Sequence, residues 1–331
     1  MQYVYVLVSN EKDLYYEQAL MSAYSLKLYT PQAKIIVLAD DRTCSTLKDK
    51  RAELSKYASK IISIPFEPNV SNALRSRIIK TTIPDYITGD YLYIDCDTII
   101  CDDLSSISSI DCKIGCVLDG HSTLNEHVHK KYFLQREKKA GFTASLATGK
   151  HFNSGVTLFK DCKESREFYK KWNELWNYYR NKVKAHHDQP SFNQAGFQCN
   201  NIIQELSGEW NCQPSHGGLA YLKNAKIIHY YSSEFSGKNY IPYYKLADKA
   251  LQNRIKESGD IPEDIKEMIK EPKFQFNKVH LINDSRIVSI MQSPLTFTLA
   301  DIKNHAPWLF NLLESQASFI RSLGKKLKGK K

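Results

Sequence analysis

Residues 91–98 read Tyr91-Leu92-Tyr93-Ile94-Asp95-Cys96-Asp97-Thr98. Four apolar or aromatic residues in a row have the composition of a buried strand, and two carboxylates appear where that run ends. Toward the N-terminus, short apolar runs alternate with longer amphipathic stretches. Residues 3–8, 34–39 (KIIVLA) and 60–64 read as strands, while 14–29, 43–57 and 71–83 have helical spacing. The last of these helices is ended by Pro84, which biases its predecessor away from helical geometry. Strands rich in Val, Ile and Tyr separated by helical periods predict βαβ units, hence an α/β domain with a mainly parallel central sheet flanked by helices.

Downstream, residues 113–118 read as a buried strand, and 119–150 as an excursion from the sheet carrying His121, His127 and His129. Residues 152–160 resume a strand, and 165–182 form a helix in which Tyr169, Trp172, Trp176 and Tyr179 recur at i, i+3, i+7 and i+10. An aromatic stripe with that spacing is core packing and receives no site role. A late strand at 225–230 closes the sheet region, and beyond about residue 245 the chain turns helical and polar. The expected division is therefore 1–245 as catalytic domain and 246–331 as a helical C-terminal extension.

In an open α/β sheet, ligands gather beyond the carboxyl ends of strands. Alternation along an extended segment aims Asp95 and Asp97 to one side and Cys96 to the other. Two carboxylates there suit Mg²⁺ or Mn²⁺ bound together with substrate phosphates, although a bare D-x-D is expected about once by chance in such a chain. His229 ends the late strand, and two Asp with one His form a mixed O/N set that suits Mn²⁺ better than Ca²⁺. Asn153-Ser154-Gly155 opens a strand where glycine permits close approach of a ligand, or makes a plain bulge. Asp188 opens a helix with Pro190 in its first turn, so capping alone also explains it.

YIDCDT, FNSGV, HHDQPSFN, EWN and the strand ending in His229 occur in that order. Together they resemble the family 8 glycosyltransferases, the retaining group that includes glycogenin and bacterial lipopolysaccharide galactosyl- and glucosyltransferases. The resemblance covers roughly residues 3–240. It implies a single GT-A-type domain, a UDP-sugar donor, and Mn²⁺ (or Mg²⁺) on Asp95, Asp97 and His229. It also implies donor contacts by Val8, Ser9, Tyr15, Cys96, Asn153, Ser154 and Gly155, with Arg77 or Lys80 as the basic residue upstream of the acidic triplet. Asp188 and Gln189 match the pair beside the anomeric carbon, and Lys238 the clamp on the diphosphate. Two departures stand out: no acidic residue directly follows the first strand, where Val8 leads into Ser9-Asn10, and the closing motif after His229 is only partly kept. The reaction implied is transfer of a hexose, galactose or glucose, to a glycan or glycolipid acceptor in lipopolysaccharide or capsule synthesis. Asp188 would act either by forming a covalent intermediate or by stabilising same-face attack.

The chain has 331 residues, a formal net charge of +10 and no apolar run near the roughly 20 residues that span a bilayer. Residues 321–331 carry six basic side chains and no acidic one, after a segment rich in Trp, Phe, Leu and Ile. That pattern fits a surface-lying helix on an anionic membrane, or a core-docked helix with a solvated lysine tail. A nucleic-acid partner is not expected. Eight cysteines without a C-x-x-C, and an N-terminus that reads as a strand rather than a leader, predict reduced, mostly buried thiols. The expected location is cytoplasmic, peripheral on the inner face of the membrane. Two competing readings are a haloacid-dehalogenase-type phosphatase, whose D-x-D-x-T loop normally follows the first strand, and a non-catalytic nucleotide- or glycan-binding protein.

Overall fold

The computed structural model describes residues 1–127, 129–231, 242–277 and 293–328. Among these, one seven-stranded sheet has the order β3-β2-β1-β4-β7-β6-β8. Its strands are β1 (Gln2–Leu7), β2 (Lys34–Asp40), β3 (Lys60–Ile64), β4 (Tyr91–Ile94), β6 (Ile114–Leu118), β7 (Phe152–Phe159) and β8 (Ile203–Glu205). Only β7 runs against its neighbours, so the sheet is mainly parallel, as expected for a GT-A-type fold.

Period-2 alternation divides the central strands between two cores. Tyr3, Tyr5, Leu7, Leu92 and Ile94 face the side covered by the helix Tyr15–Tyr29, through Ala19, Leu20, Ala23 and Leu26. Val4, Val6, Val8, Tyr91 and Tyr93 face the other side, under the helices Lys163–Val183 and Gln189–Gln198. The aromatic stripe is wholly buried: Tyr169, Trp172 and Trp176 lie in that second core, and Tyr179 in a smaller cluster with Ala140 and Phe142. Cover on both faces explains why β1, β2 and β4 are apolar almost throughout rather than alternating with polar residues.

Several elements depart from expectation. Residues 43–57 do not form one helix but three short pieces, Asp41–Ser45, Asp49–Arg51 and Leu54–Tyr57. Asp40 caps the first through the Thr43 N–H, and Asp49 at φ +50 cannot continue a right-handed helix. Pro84 does not stop helical structure; it opens a further turn, Ile83–Tyr86, where its missing N–H costs nothing. The late strand, β9 (Ile227–His229), does not join the main sheet: it pairs antiparallel with β5 (Thr98–Ile100) in a separate two-stranded sheet. Its register sets His229 opposite Thr98, one residue from Asp97. All eight cysteines are free, but only Cys101, Cys116 and Cys212 are buried and the other five are half-buried.

The larger compact unit runs Met1–Phe276, later than a boundary near residue 245. Helices Lys249–Ser258 and Glu263–Lys270 send Ile255, Ile265 and Ile269 into the first core, and the Tyr29 hydroxyl donates to the Lys270 carbonyl at 2.7 Å. The second unit, Asn277–Lys331, contains the helices Pro294–His305 and Pro307–Lys328. Trp308, Phe319 and Ile320 are exposed on the latter. No helix among the described residues is long and apolar enough to cross a membrane.

Candidate active site

Tyr93 faces the second core, so two residues on, Asp95 emerges on the same side of the strand just beyond its carboxyl end. Cys96 turns the opposite way, packs against the first core and donates its thiol to the Val6 carbonyl at 3.4 Å. Asp95 accepts from the Tyr93 hydroxyl and, at 3.3 Å, from the Lys80 ammonium. The β5–β9 register brings His229 Nε2 to 3.3 Å from Asp97 Oδ1. Ligand atoms of Asp95, Asp97 and His229 all lie within 4.8 Å of one another, so this group could hold a metal ion.

The donor chemistry and the surroundings fit a divalent cation. His229 Nδ1 donates to Asn211 Oδ1 at 3.1 Å, which leaves Nε2 as the ligating nitrogen. Burial opposes charge on this imidazole, but the Asp97 and Asp95 carboxylates outweigh it and raise its pKa. Gly155 closes the cradle from β7: a Cβ there would stand 2.4 Å from His229 Cε1 and 2.8 Å from Asp95 Oδ2. Its carbonyl also accepts the Asp95 N–H at 2.7 Å.

Asp188 and Gln189 enter from the start of the helix Gln189–Gln198. The Asp188 side chain does not cap that helix. It is instead paired with Arg77 Nε at 3.0 Å and Lys80 Nζ at 3.4 Å, and it accepts the Ser154 hydroxyl at 3.2 Å. Burial pushes its pKa up, while Arg77, Lys80 and these hydrogen bonds more than offset it, so the carboxyl titrates well below the usual range. Lys80 joins the two parts of the site, since one ammonium serves both Asp95 and Asp188. Arg77 and Lys80, alternatives in the sequence, are both present.

Asn153 carries the connection further. Its Oδ1 accepts from Asn211 Nδ2 and the Gly155 N–H, and its Nδ2 donates to Asp119 Oδ2 at 3.0 Å and to the Tyr231 hydroxyl at 2.9 Å. Gln189 Nε2 donates to the same Asp119 oxygen at 2.7 Å. Asp119 and Asn211 have no assignment from sequence, although Asp119 follows β6 as directly as Asp95 follows β4. Strand-end position would have found it. Asn211 lies within the EWN segment, but its two partners are remote in sequence.

At the end of β1, Val8 and Ser9 are buried and Tyr15 is exposed. The Ser9 hydroxyl donates to Asp13 Oδ1 at 2.6 Å and accepts from Arg51 Nη2 at 3.0 Å, and the Asn10 N–H also binds Asp13. A carboxylate therefore does stand beside the end of the first strand, supplied from four residues after Ser9. Lys238 lies outside the described residues.

A family model described as glycosyl transferase family 8 matches residues 7–234. No curated protein matches the sequence. Among solved structures, the chain is similar to the apo structure of the WbbM bifunctional glycosyltransferase, with TM-score 0.52, 15% identity, and coverage of 78% of this chain and 51% of that one. It is also similar to the galactosyltransferase LgtC solved with donor and acceptor sugar analogs, with TM-score 0.47, 16% identity and coverage of 81% and 99%. Mouse xyloside xylosyltransferase 1 gives TM-score 0.46, 14% identity and coverage of 73% and 99%.

Proposed function

The chain belongs to glycosyl transferase family 8 and is a glycosyltransferase, and from that premise we propose that it moves galactose or glucose from a UDP-sugar to a glycan or glycolipid acceptor, with retention. The observation that carries this reading is the meeting of Asp95, Asp97 and His229 beside Asp188 and Gln189, joined by Lys80. The triad would hold Mn²⁺, with Mg²⁺ as the alternative. A bound divalent ion supplies Lewis-acid stabilisation of the departing diphosphate.

The chain's own residues do the rest. Arg77, about one-third exposed along its side chain, offers guanidinium N–H groups to the donor, while buried Lys80 holds Asp95 and Asp188 in register. Asp188 remains ionised because two cations face it, and its negative charge lies where positive character develops on the anomeric carbon. Gln189, its amide N–H committed to Asp119, presents its carbonyl oxygen as a second stabilising group. Asn153, Ser154 and Gly155 line the sugar side, and Val8, Ser9 and Tyr15 the base side, where Asp13 replaces the acidic residue missing directly after β1. The phosphatase reading loses its support, because the acidic triplet follows β4 rather than the first strand.

A screen of UDP-sugars, read as UDP release with Mn²⁺ or with chelator, tests the proposal. Turnover of UDP-galactose or UDP-glucose that chelation abolishes is expected; UDP binding with no donor consumed would instead support a non-catalytic binding protein. We place the acceptor in lipopolysaccharide or capsule synthesis at the inner face of the membrane, because exposed Trp308, Phe319 and Ile320 precede the basic residues at 321–331. Removal of residues 315–331 should abolish flotation with anionic vesicles, and unchanged flotation would remove this support.

A further inference from the structure

The excursion at 119–150 brings one side chain back to the site. His127 is buried, and its Nε2 lies 3.1 Å from Asp119 Oδ1. Its Nδ1 accepts the His129 N–H at 2.9 Å, which places the ring proton on Nε2 and makes His127 the donor to Asp119. The other Asp119 oxygen accepts from Asn153 Nδ2 and Gln189 Nε2. Backbone geometry is committed to this contact as well. Gly120 sits at φ +62, and a Cβ there would stand 2.4 Å from His127 Nε2.

We propose that Asp119 and His127 are a positioning pair for the transfer reaction: His127 fixes the Asp119 carboxylate, which in turn fixes the Gln189 amide. An amide whose N–H₂ is taken by a carboxylate must present its oxygen on the other side. A carboxylate offers only acceptors, so Gln189 cannot reverse against Asp119 without setting oxygen against oxygen. The same carboxylate orients Asn153, whose Oδ1 is bound to Asn211, the partner of His229. One hydrogen-bonded chain, His229, Asn211, Asn153, Asp119, Gln189, therefore sets the metal ligand and the amide in a single geometry. His127 anchors that chain from outside it. The segment that carries His127 thus helps to assemble the reaction centre, beyond any contact it makes with an acceptor.

This inference rests on the proposed transfer reaction, and its test has one readout that does not. With glutamine selectively labelled with ¹⁵N, the Gln189 side-chain amide signal is assigned by its loss in Gln189→Glu. In the whole protein that signal should be sharp and slow to exchange with solvent. His127→Ala should broaden or shift it, and His127→Gln, whose amide N–H₂ can replace the Nε2–H donor, should restore it. In parallel, kcat should fall about 10- to 100-fold in His127→Ala with donor KM nearly unchanged, and recover in His127→Gln. If His127→Ala does not fold, Asp119→Asn decides, because its own amide lets Gln189 reverse while the shape is kept. An unchanged Gln189 signal together with unchanged kcat in whichever of these variants folds overturns the pairing. A wild-type chain that releases no UDP from any donor overturns the reaction instead, and the amide signal still judges the pair.

Discussion

Asp97→Ala should reduce UDP-sugar turnover by on the order of a thousandfold while leaving the thermal unfolding midpoint nearly unchanged. On the proposed reading the rate falls because one of the three groups, within 4.8 Å of one another, that would hold the ion meeting the diphosphate's charge is removed. The fold is expected to persist because the Asp97 side chain is partly solvated, and the 3.1 Å bond that its carbonyl accepts from the Tyr230 N–H is made by the backbone and survives the substitution. Kinetics of UDP release alongside circular dichroism separates the two effects. An active variant would remove the metal assignment; an unfolded one would show that the triad is chiefly structural.

Asp188→Ala should act on both stability and rate. The carboxylate is buried and opposes Arg77 and Lys80, and the Lys80 side chain is only 3% exposed. Removing it leaves a buried ammonium short of one partner beside a guanidinium, a change that costs about 3–5 kcal/mol when a buried pair is broken. Lys80 keeps Asp95, which places the expected loss at the lower end of that range. The sign with pH follows from the depressed pKa. The ionised carboxylate's contribution is fully present above the unfolded value of about 4 and is lost as pH falls through the lower native value. Denaturant unfolding should therefore show the gap between wild type and variant at neutral pH, narrowing in strong acid. A gap that widened in acid would contradict the ion-pair account. Asp188→Asn, which keeps the shape and can still accept from Arg77, should be milder in stability yet still deficient in transfer.

The parts of this fold that were legible in sequence are those fixed by local pattern. Continuous apolar runs marked β1, β2 and β4, and alternation at 95–97 correctly sent Cys96 away from the two aspartates. Aromatic spacing identified the buried face of the helix Lys163–Val183. What local pattern could not supply was partnership across the chain. Asp188 has every local mark of a helix cap, and only the arrival of Arg77 and Lys80 from the helix Asn72–Thr81 turns it to another use. The run at 225–230 reads as one more sheet strand, but pairing with Thr98–Ile100 makes it the element that delivers His229 to Asp97. Residues 43–57 have helical spacing, yet a left-handed backbone at Asp49 divides them. Asp119 differs again: it follows β6 as directly as Asp95 follows β4, but a single carboxylate there lacks the paired spacing that marks 95–97, and its partners Asn153 and Gln189 are remote in sequence.

Calorimetric titration of UDP into the wild-type chain, with Mn²⁺ and then with chelator, tests the metal triad most directly, since it needs neither the correct sugar nor the acceptor. Binding with Mn²⁺ that weakens at least about tenfold on chelation, and that shows no such Mn²⁺ dependence in Asp97→Ala, is the predicted result. Equal affinity for UDP with and without metal in the wild type would contradict it, and Asp95, Asp97 and His229 would then be a structural cluster rather than the seat of the diphosphate.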